Sequence, residues 1–236
     1  MHKIIFNRSE AVIDDKGAFI NSYKIDGYNI FFPRQQIDNS SRGGCHVCLP
    51  NFGPGGDTDQ TQHGYGRKEN WQVDFVSSNK IKLSYIQKEG SYNGLISNIR
   101  YEINEDSLEM GLSCENRSPK ELRITPGFHP YFNLESNFSG VVLVDGKEFL
   151  ATDLAGTKFY QAGRELLADF GDKKVRIRSE NLRYYALWTA YADKYVCIEP
   201  TLAGNAFSER NPSNEEILKP GEVKYYNVKI SVELSK

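Results

Sequence analysis

The chain has 236 residues, of which 39% are hydrophobic and 25% charged, and its formal net charge is -2. This composition is typical of a soluble globular protein with a sizeable core, and the intermixed charges lack the basic stripe of a nucleic-acid-binding protein. The N-terminal apolar run is too short for a signal peptide, and no later run approaches the roughly 18 residues that span a membrane. We therefore expect a cytoplasmic protein without nucleic-acid or membrane partners.

Alternation of apolar and polar residues predicts β-strands along most of the chain. In chain order they are WQVDFVS (71–77), KIKLSYIQ (80–87), NIRYEIN (98–104), SLEMGLSCEN (107–116), GVVLVDG (140–146), KVRIRSE (174–180), YVCIEP (195–200) and VKYYNVKISVEL (223–234). Turn-forming clusters such as DDKG and LKPGE separate the strands. The best helix candidate, AGRELLADF (162–170), is predicted to form at most a short helical turn.

The number of strands predicts one all-β domain over residues 1–236, since no linker rich in Pro, Gly or Ser divides the chain. Sheets of about a dozen strands usually split into two packed layers. We therefore predict a large antiparallel β-sandwich.

Four cysteines are present, and two of them, Cys45 and Cys48, form a C-x-x-C motif. A single pair lacks the second half of a zinc site, and no helix signal follows it as in a thioredoxin-type turn. We predict free thiols on a strand of a reduced protein, with metal or redox chemistry as the alternative.

Residues 41–71, SRGGCHVCLPNFGPGGDTDQTQHGYGRKENW, are rich in glycine and are predicted to form a long irregular loop. Such loops are uncommon in compact domains and are often functional. Arg42, His63 and Arg67 could reach a polar ligand from it, although each alone is more often a surface residue. Arginine is well suited to binding anions or pairs of sugar hydroxyls.

His129 lies in the segment TPGFHPYFN between two prolines, Pro126 and Pro130. Proline cannot donate to a sheet ladder, so we do not expect His129 in the middle of a central strand. Pro130 holds the preceding residue extended, and Tyr131 and Phe132 could serve as walls. A histidine suits proton transfer at neutral pH, and the alternative is a hydrogen-bonded core residue.

Glu199 ends the apolar segment YVCIEP, where Tyr195, Cys197 and Glu199 share one face of a strand. A carboxylate at this position is expected to be partly desolvated, which raises its pKa toward the range of a general base. The alternative is that the strand has ended and Glu199 lies in water.

Five segments occur in the order seen in the aldose 1-epimerase family, also called galactose mutarotases. They are RGGCHVCLPNFG, QHGYGRKENW, GFHPYF, YVCIEP and LKPGE. The sequence most closely resembles the subgroup related to glucose-6-phosphate 1-epimerase, from about residue 40 onward. This resemblance implies the galactose mutarotase-like β-supersandwich and a sugar or sugar phosphate as substrate.

The resemblance also implies roles for the candidate residues. Glu199 resembles the base that removes the anomeric proton, and His129 the acid that protonates the ring oxygen. His63 resembles a second histidine that orients the sugar, and Arg42 and Arg67 resemble arginines that line the pocket near a phosphate. No cofactor and no metal are implied.

The sequence departs from the family pattern in two places. Cys45 and His46 follow R-G-G where an aliphatic residue and a proline are usual, and the region after GFHPYF is shortened. A sugar-contacting aspartate therefore has no clear match, although Asp153 and Asp169 are candidates.

Two other functions remain open: a carbohydrate-binding protein without turnover, and a metal-dependent isomerase with His63, His129 and Glu199 as ligands. A monomer and a homodimer are both compatible with the sequence.

Overall fold

The computed structural model describes residues 1–235, and their regular secondary structure consists almost entirely of β-strands. In chain order the first eleven strands are β1 (His2–Phe6), β2 (Ser9–Asp14), β3 (Phe19–Ile25), β4 (Tyr28–Asn29), β5 (Gln35–Ile37), β6 (Ser40–Arg42), β7 (Cys45–Cys48), β8 (Gln72–Val76), β9 (Lys80–Ile86), β10 (Leu95–Ile103) and β11 (Ser107–Asn116). The others are β12 (Leu122–Arg123), β13 (Gly127–Asn133), β14 (Val141–Val144), β15 (Lys147–Leu150), β16 (Lys158–Gln161), β17 (Glu165–Asp169), β18 (Lys173–Ser179), β19 (Tyr184–Trp188), β20 (Tyr195–Thr201), β21 (Ile217–Leu218) and β22 (Val223–Leu234).

Helical segments within residues 1–235 are short. The α-helix α1 spans Ala206–Glu209, and 3-10 turns span Gly90–Tyr92, Ala151–Ala155 and Asn214–Glu216. None of the helices in this range has the length and hydrophobicity that a membrane span requires.

Two nine-stranded antiparallel sheets contain most of the strands. The first sheet has the order β1-β2-β3-β7-β13-β20-β19-β16, with β4 paired to β3. The second has the order β15-β14-β17-β18-β22-β11-β10-β9-β8, and two small sheets pair β5 with β6 and β12 with β21. The predicted large antiparallel all-β sandwich is confirmed, whereas a single domain over the whole chain stays a prediction.

The second sheet follows the alternation of its sequence. In β18 every second residue is buried, so that Val175 and Ile177 face inward while Arg176 and Arg178 face solvent. Such a strand buries one apolar face. A shift of its pairing register by one residue would turn that face to solvent.

A hydrophobic core fills the space between the two sheets. Phe128 and Phe132 of β13 contribute to it from the first sheet, and Tyr101 and Met110 contribute from the second. The sulfur atoms of Cys45 and Met110 lie 3.8 Å apart across the interface. Burial of apolar side chains from both sheets stabilises the sandwich.

Strands β7, β13 and β20 at the centre of the first sheet are buried along their whole length. Alternate side chains such as Val47, Phe128 and Ile198 face the shared core. The intervening side chains face the other way, where other residues cover them instead of water. This second, buried face holds the polar residues described below.

Three predictions about local structure can be compared with the fold. AGRELLADF is not helical but forms β17, because Leu166 and Ala168 alternate with polar neighbours and pair with β18. The irregular loop begins later than predicted, since residues 41–48 contain part of β6 and all of β7. From residue 49 to residue 71 the chain forms only isolated bridges.

All four cysteines are free and buried, and Cys45 and Cys48 lie on a strand as predicted. Cys45 faces the shared core, whereas Cys48 lies on the opposite face of β7, with its sulfur 3.4 Å from Nδ1 of His63. Because the two side chains point to opposite faces, the C-x-x-C motif does not form a joint metal or redox site.

Candidate active site

Three neighbouring strands place His46, His129 and Glu199 side by side on the second face of the first sheet. β7 and β13 pair in the register His129↔His46. The β13–β20 pairs on either side of this position set His129 opposite Glu199. On the next strand, Ala186 of β19 pairs with Glu199. The small side chain of Ala186 leaves space beside the carboxylate.

His129 lies in the middle of a central strand, and the prediction to the contrary was wrong. The amide of Tyr131 donates to the carbonyl of Gly44 on the β7 side, at 3.0 Å. The nitrogen of Pro130 therefore faces β20, where the ladder is interrupted. Because that side of the strand has no regular ladder at this point, a proline is tolerated inside a central strand.

The imidazole of His129 and the carboxylate of Glu199 are in contact. Nε2 of His129 lies 3.2 Å from Oε2 of Glu199, and both side chains are almost fully buried. Oε2 of Glu199 and Nδ1 of His129 have no hydrogen-bond partner among residues 1–235. Buried polar atoms are nearly always satisfied, so these two are free to bind a ligand.

Burial shifts the proton affinities of both groups. It raises the pKa of Glu199 well above its ordinary value. Burial, together with repulsion from His46, His63 and Arg67, lowers the pKa of His129 well below its ordinary value. Both shifts favour the uncharged form. Each group is therefore stabilised in its neutral form, with Nε2 of His129 and Oε2 of Glu199 in close approach.

Aromatic rings fix the orientation of His129. Its ring stacks on that of Tyr131, with centroids 4.7 Å apart and an interplanar angle of 16°. On another side it contacts His46, with centroids also 4.7 Å apart. The ring is thus held in one plane with Nε2 directed at Glu199.

His63 reaches the same place from the loop that follows β7. Its backbone adopts a φ of 60°, which is uncommon outside glycine and often occurs at functional sites. Nδ1 accepts a hydrogen bond from the amide of Gly53 at 3.2 Å, so the neutral ring carries its proton on Nε2. Burial and the charge of Arg67 lower the pKa of His63 to about 3. The imidazole of His63 is therefore a neutral hydrogen-bond donor. Its ring centroid lies 5.2 Å from that of His129.

Gly64 is required for this approach. Its φ is 67°, and a Cβ on it would lie 2.1 Å from the carbonyl oxygen of Leu49. Only glycine allows the two backbones to lie this close, and the loop thereby brings His63 over the sheet.

Two arginines lie at the same site. Arg42 ends β6 with its guanidinium 5.4 Å from the ring centroid of Trp188, and Arg67 donates from Nη2 to the carbonyl of Gln62 at 3.0 Å. In both arginines Nε is buried and has no partner among the described residues. Their unsatisfied donors can bind an anion or several hydroxyl groups.

These side chains surround a cavity of about 360 Å³. All five predicted site residues line it, namely Arg42, His63, Arg67, His129 and Glu199. The remaining walls are aromatic, from Phe52, Tyr131 and Trp188, or polar, from Gln62, Thr157 and Asn205. Sites for small molecules have volumes of about 300–1,000 Å³, with apolar walls and a few directed polar groups.

A larger concavity of about 700 Å³ lies on the outer face of the second sheet. Its charges pair with each other, as Arg178 does with Glu165. Exposed ion pairs of this kind are ordinary surface features, so the smaller cavity is the better candidate.

Sequence reasoning missed the position of His46 and left the sugar-contacting aspartate open. His46 could not be placed next to His129 without the register of two strands that are distant in the chain. Asp153 lies in a 3-10 turn and Asp169 on β17 of the second sheet, and neither lines the cavity. Of the two suggested walls, Tyr131 lines the cavity, whereas Phe132 faces the core.

The fold and the site define a class of protein, a β-sandwich with a buried carboxyl–imidazole pair at the wall of a small polar cavity. The sequence model described as Aldose 1-epimerase matches residues 6–170. The chain therefore belongs to the aldose 1-epimerase family, whose members are isomerases acting on sugars. No curated protein matches the sequence.

Solved structures agree in fold. A galactose mutarotase-like protein from Lactobacillus casei superposes with a TM-score of 0.84 at 14% identity, covering 99% of this chain and 100% of the other. A galactose mutarotase related enzyme from Lactobacillus acidophilus gives a TM-score of 0.78 at 18% identity, with coverages of 98% and 97%. A galactose mutarotase-like protein from Clostridium acetobutylicum gives 0.75 at 16%, with coverages of 99% and 95%. At such low identity these similarities show the fold alone.

Proposed function

We propose that the protein interconverts the α and β anomers of a hexose or hexose 6-phosphate, with Glu199 as general base and His129 as general acid. The observation that carries this proposal is the buried contact of 3.2 Å between the two groups at the wall of the cavity. In anomer exchange both proton transfers occur at oxygens bonded to one carbon, C1. A base and an acid must then be neighbours, as Glu199 and His129 are.

The reaction balances without a further reactant. The carboxylate of Glu199 accepts the proton of the C1 hydroxyl while the imidazolium of His129 donates a proton to the ring oxygen. The bond between C1 and the ring oxygen breaks, and C1 becomes the carbonyl carbon of the open-chain aldehyde. After rotation about the C1–C2 bond, the former ring oxygen, now a hydroxyl, attacks the other face of C1. It returns its proton to His129, and Glu199 returns its proton to the C1 oxygen. General acid–base catalysis contributes about 10²–10⁴-fold to such a step.

Transfer of a single proton from Glu199 to His129 puts both groups into the forms that the reaction needs. Burial favours the uncharged forms, in which the carboxyl of Glu199 is protonated and the imidazole of His129 carries a single N–H. Transfer of the carboxyl proton over the contact gives a carboxylate and an imidazolium. The hydroxyl groups of a bound sugar stabilise these charges by hydrogen bonding.

Other cavity residues position the sugar in this proposal. Nδ1 of His63 is bound to the amide of Gly53, and Nε2 lies 3.2 Å from the side-chain amide of Gln62, which a sugar hydroxyl can replace as the partner of Nε2–H. The ring of Trp188 offers an apolar surface for the C–H face of the sugar.

A phosphorylated substrate is supported by Arg42 and Arg67. Both line the cavity, and each has a buried Nε without a partner in the described part of the chain. Guanidinium groups bind phosphate through charge-assisted hydrogen bonds. We therefore propose a hexose 6-phosphate as the preferred substrate, with the free hexose as the alternative.

A non-catalytic sugar-binding protein accounts less well for the site. Burying a carboxyl and an imidazole without full hydrogen bonding costs stability. A protein that only binds sugar could use neutral polar side chains instead of a buried carboxyl and imidazole. Proton transfer, in contrast, requires these two groups.

The test is NMR exchange spectroscopy between anomers, with glucose, galactose, mannose and their 6-phosphates. We expect enzyme-dependent exchange with at least one of these sugars, and faster exchange with a phosphorylated one. Binding of a sugar without any increase in exchange over the buffer rate would contradict the proposed function.

A further inference from the structure

We propose that His129 and Glu199 at the cavity wall, together with Cys197 buried behind them, also bind a thiophilic divalent cation such as Zn²⁺. A cation bound there occupies the acid and the base together, so it acts as an inhibitor. The inhibition rests on the proposed function, whereas the binding does not.

The geometry of the three side chains comes from the strands. Cys197 and Glu199 are two residues apart on β20 and share a face, and His129 is opposite Glu199 on β13. One ligand atom from each of the three residues lies within 4.8 Å of the others, and the nitrogen and oxygen are 3.2 Å apart. Tetrahedral zinc, with bonds of about 2.0–2.3 Å, sets neighbouring ligands about 3.3–3.6 Å apart. The spacing of the three atoms is therefore close to that of a tetrahedral site.

The donor set suits a borderline-soft cation. Imidazole, thiolate and carboxylate are the usual zinc ligands, and three of them leave a fourth position open toward the cavity. Cys197 is free and not in a disulfide. Oε2 of Glu199 is buried and has no hydrogen-bond partner among residues 1–235, so a cation has to displace only the 3.2 Å contact of this oxygen with Nε2 of His129.

Charge balance is also met. A thiolate from Cys197 and a carboxylate from Glu199 neutralise the two positive charges of the cation. This neutralisation is necessary because Arg42 and Arg67 line the same cavity and oppose a net positive charge.

A second group of possible metal ligands, Cys48 with His46 and His63, is less suitable for binding the cation. The sulfur of Cys48 is 3.8 Å from Nδ1 of His46 and 3.4 Å from Nδ1 of His63. Both nitrogens are already used, since Nδ1 of His46 donates to the carbonyl of Val47 and Nδ1 of His63 accepts from an amide. The three residues around Cys197 are therefore the expected ligands.

The experiment is a titration of chelator-treated, dialysed protein with Co²⁺, which reports thiolate ligation by a charge-transfer band. We expect one Co²⁺ per chain, displaced by Zn²⁺. In Cys197→Ser the band disappears and metal affinity falls by about tenfold or more. Cys114→Ser, which changes a buried cysteine on the second sheet, and Cys48→Ser keep the band. Cys197→Ala serves if the serine variant does not fold.

X-ray absorption on Zn²⁺-loaded wild-type protein tests the ligands without a mutation. We expect one sulfur at about 2.3 Å and nitrogen or oxygen at about 2.0–2.2 Å. Absence of stoichiometric binding, a band that persists in Cys197→Ser, or a band lost in Cys48→Ser would overturn the proposal.

Inhibition is measured separately. Zn²⁺ should stop anomer exchange by the wild type, and a chelator should restore it. The same Zn²⁺ concentration should leave the rate of Cys197→Ser at that variant's own metal-free value. Inhibition equal in both proteins would overturn the inhibitory role. If no sugar is turned over at all, the Co²⁺ spectra still decide whether the metal site exists.

Discussion

Glu199 is a carboxylate whose chemistry is set by its surroundings. It is 2% exposed, and burial alone raises its pKa. Its neighbour His129 is shifted in the opposite direction. When two groups interact this closely, their protons leave in steps that belong to the pair and not to either residue.

The first prediction concerns His129. His129→Asn should lower the rate of anomer exchange by about 10²-fold or more, because a general acid is lost. The wild-type rate should show a bell-shaped dependence on pH, since the pair is inactive with two protons or with none. Rates measured between about pH 5 and 9 test this. His2→Asn, at a histidine on β1, is the control. A flat profile, or full activity of His129→Asn, would rule out His129 as the acid.

The second prediction concerns His46, which the mechanism does not use. Burial, followed by the charge of Arg67, lowers its pKa well below the ordinary value. Below about pH 6.5 the unfolded chain therefore binds a proton that the folded protein does not, and stability is lost as pH falls.

His46→Phe removes this contribution and keeps an aromatic ring against Phe19 and His129. The slope of the unfolding free energy against pH, between about pH 6 and 5, should become shallower by about 1 kcal/mol per pH unit. Urea denaturation at several pH values measures it, with equal m-values showing that the folded state is unchanged. Equal slopes in the two proteins would mean that His46 is not held neutral.

At the scale of elements, the site is made by one sheet and one loop. β7, β13 and β20 supply a row of polar side chains, and the loop after β7 adds His63 and Arg67 from above. The sheet fixes the acid–base pair rigidly, while the loop sets what else the cavity can bind.

The third prediction therefore concerns the loop. If the substrate carries a 6-phosphate, Arg67→Ala should weaken its use by about tenfold or more, since a charge-assisted hydrogen bond contributes about 1.5–3 kcal/mol. Use of the free hexose should barely change, and the effect should shrink as salt rises. Kinetics with glucose and glucose 6-phosphate at two salt concentrations measure both effects. Arg117→Ala, at an exposed arginine paired only with Glu115, is the control. Equal losses on both sugars would show that Arg67 only supports the loop.

Elements of the second sheet could be predicted from the sequence because each has one apolar face. SLEMGLSCEN and VKYYNVKISVEL coincide with β11 and β22. The first sheet was harder to predict at its centre, where both faces are buried and simple alternation is lost. Pro130 also misled the prediction for β13, because a local interruption of the ladder is not visible in the sequence.

The five candidate site residues were suggested by sequence motifs, and the structure brings them to one cavity. The register that sets His46, His129 and Glu199 in one row joins three strands that are far apart in the chain. A single sequence contains no information about such pairing. His46 was therefore noticed only as a departure from the family pattern.

In the whole molecule, the candidate site and the hydrophobic core lie on different faces of the first sheet. One face packs on the second sheet and forms the core, while the other holds the cavity. Changes at the site should consequently leave the sandwich intact. This separation makes a direct test of the acid–base pair possible.

That test is the rate of anomer exchange, followed by NMR, in the wild type and in Glu199→Gln. The amide has nearly the same shape as the carboxyl but cannot accept the proton, so we expect an unchanged fold, sugar affinity close to wild type and almost no catalysed exchange. Glu165→Gln, on the second sheet, should behave as wild type. Full activity of Glu199→Gln on a sugar that the wild type turns over would contradict the assignment of Glu199 as the base.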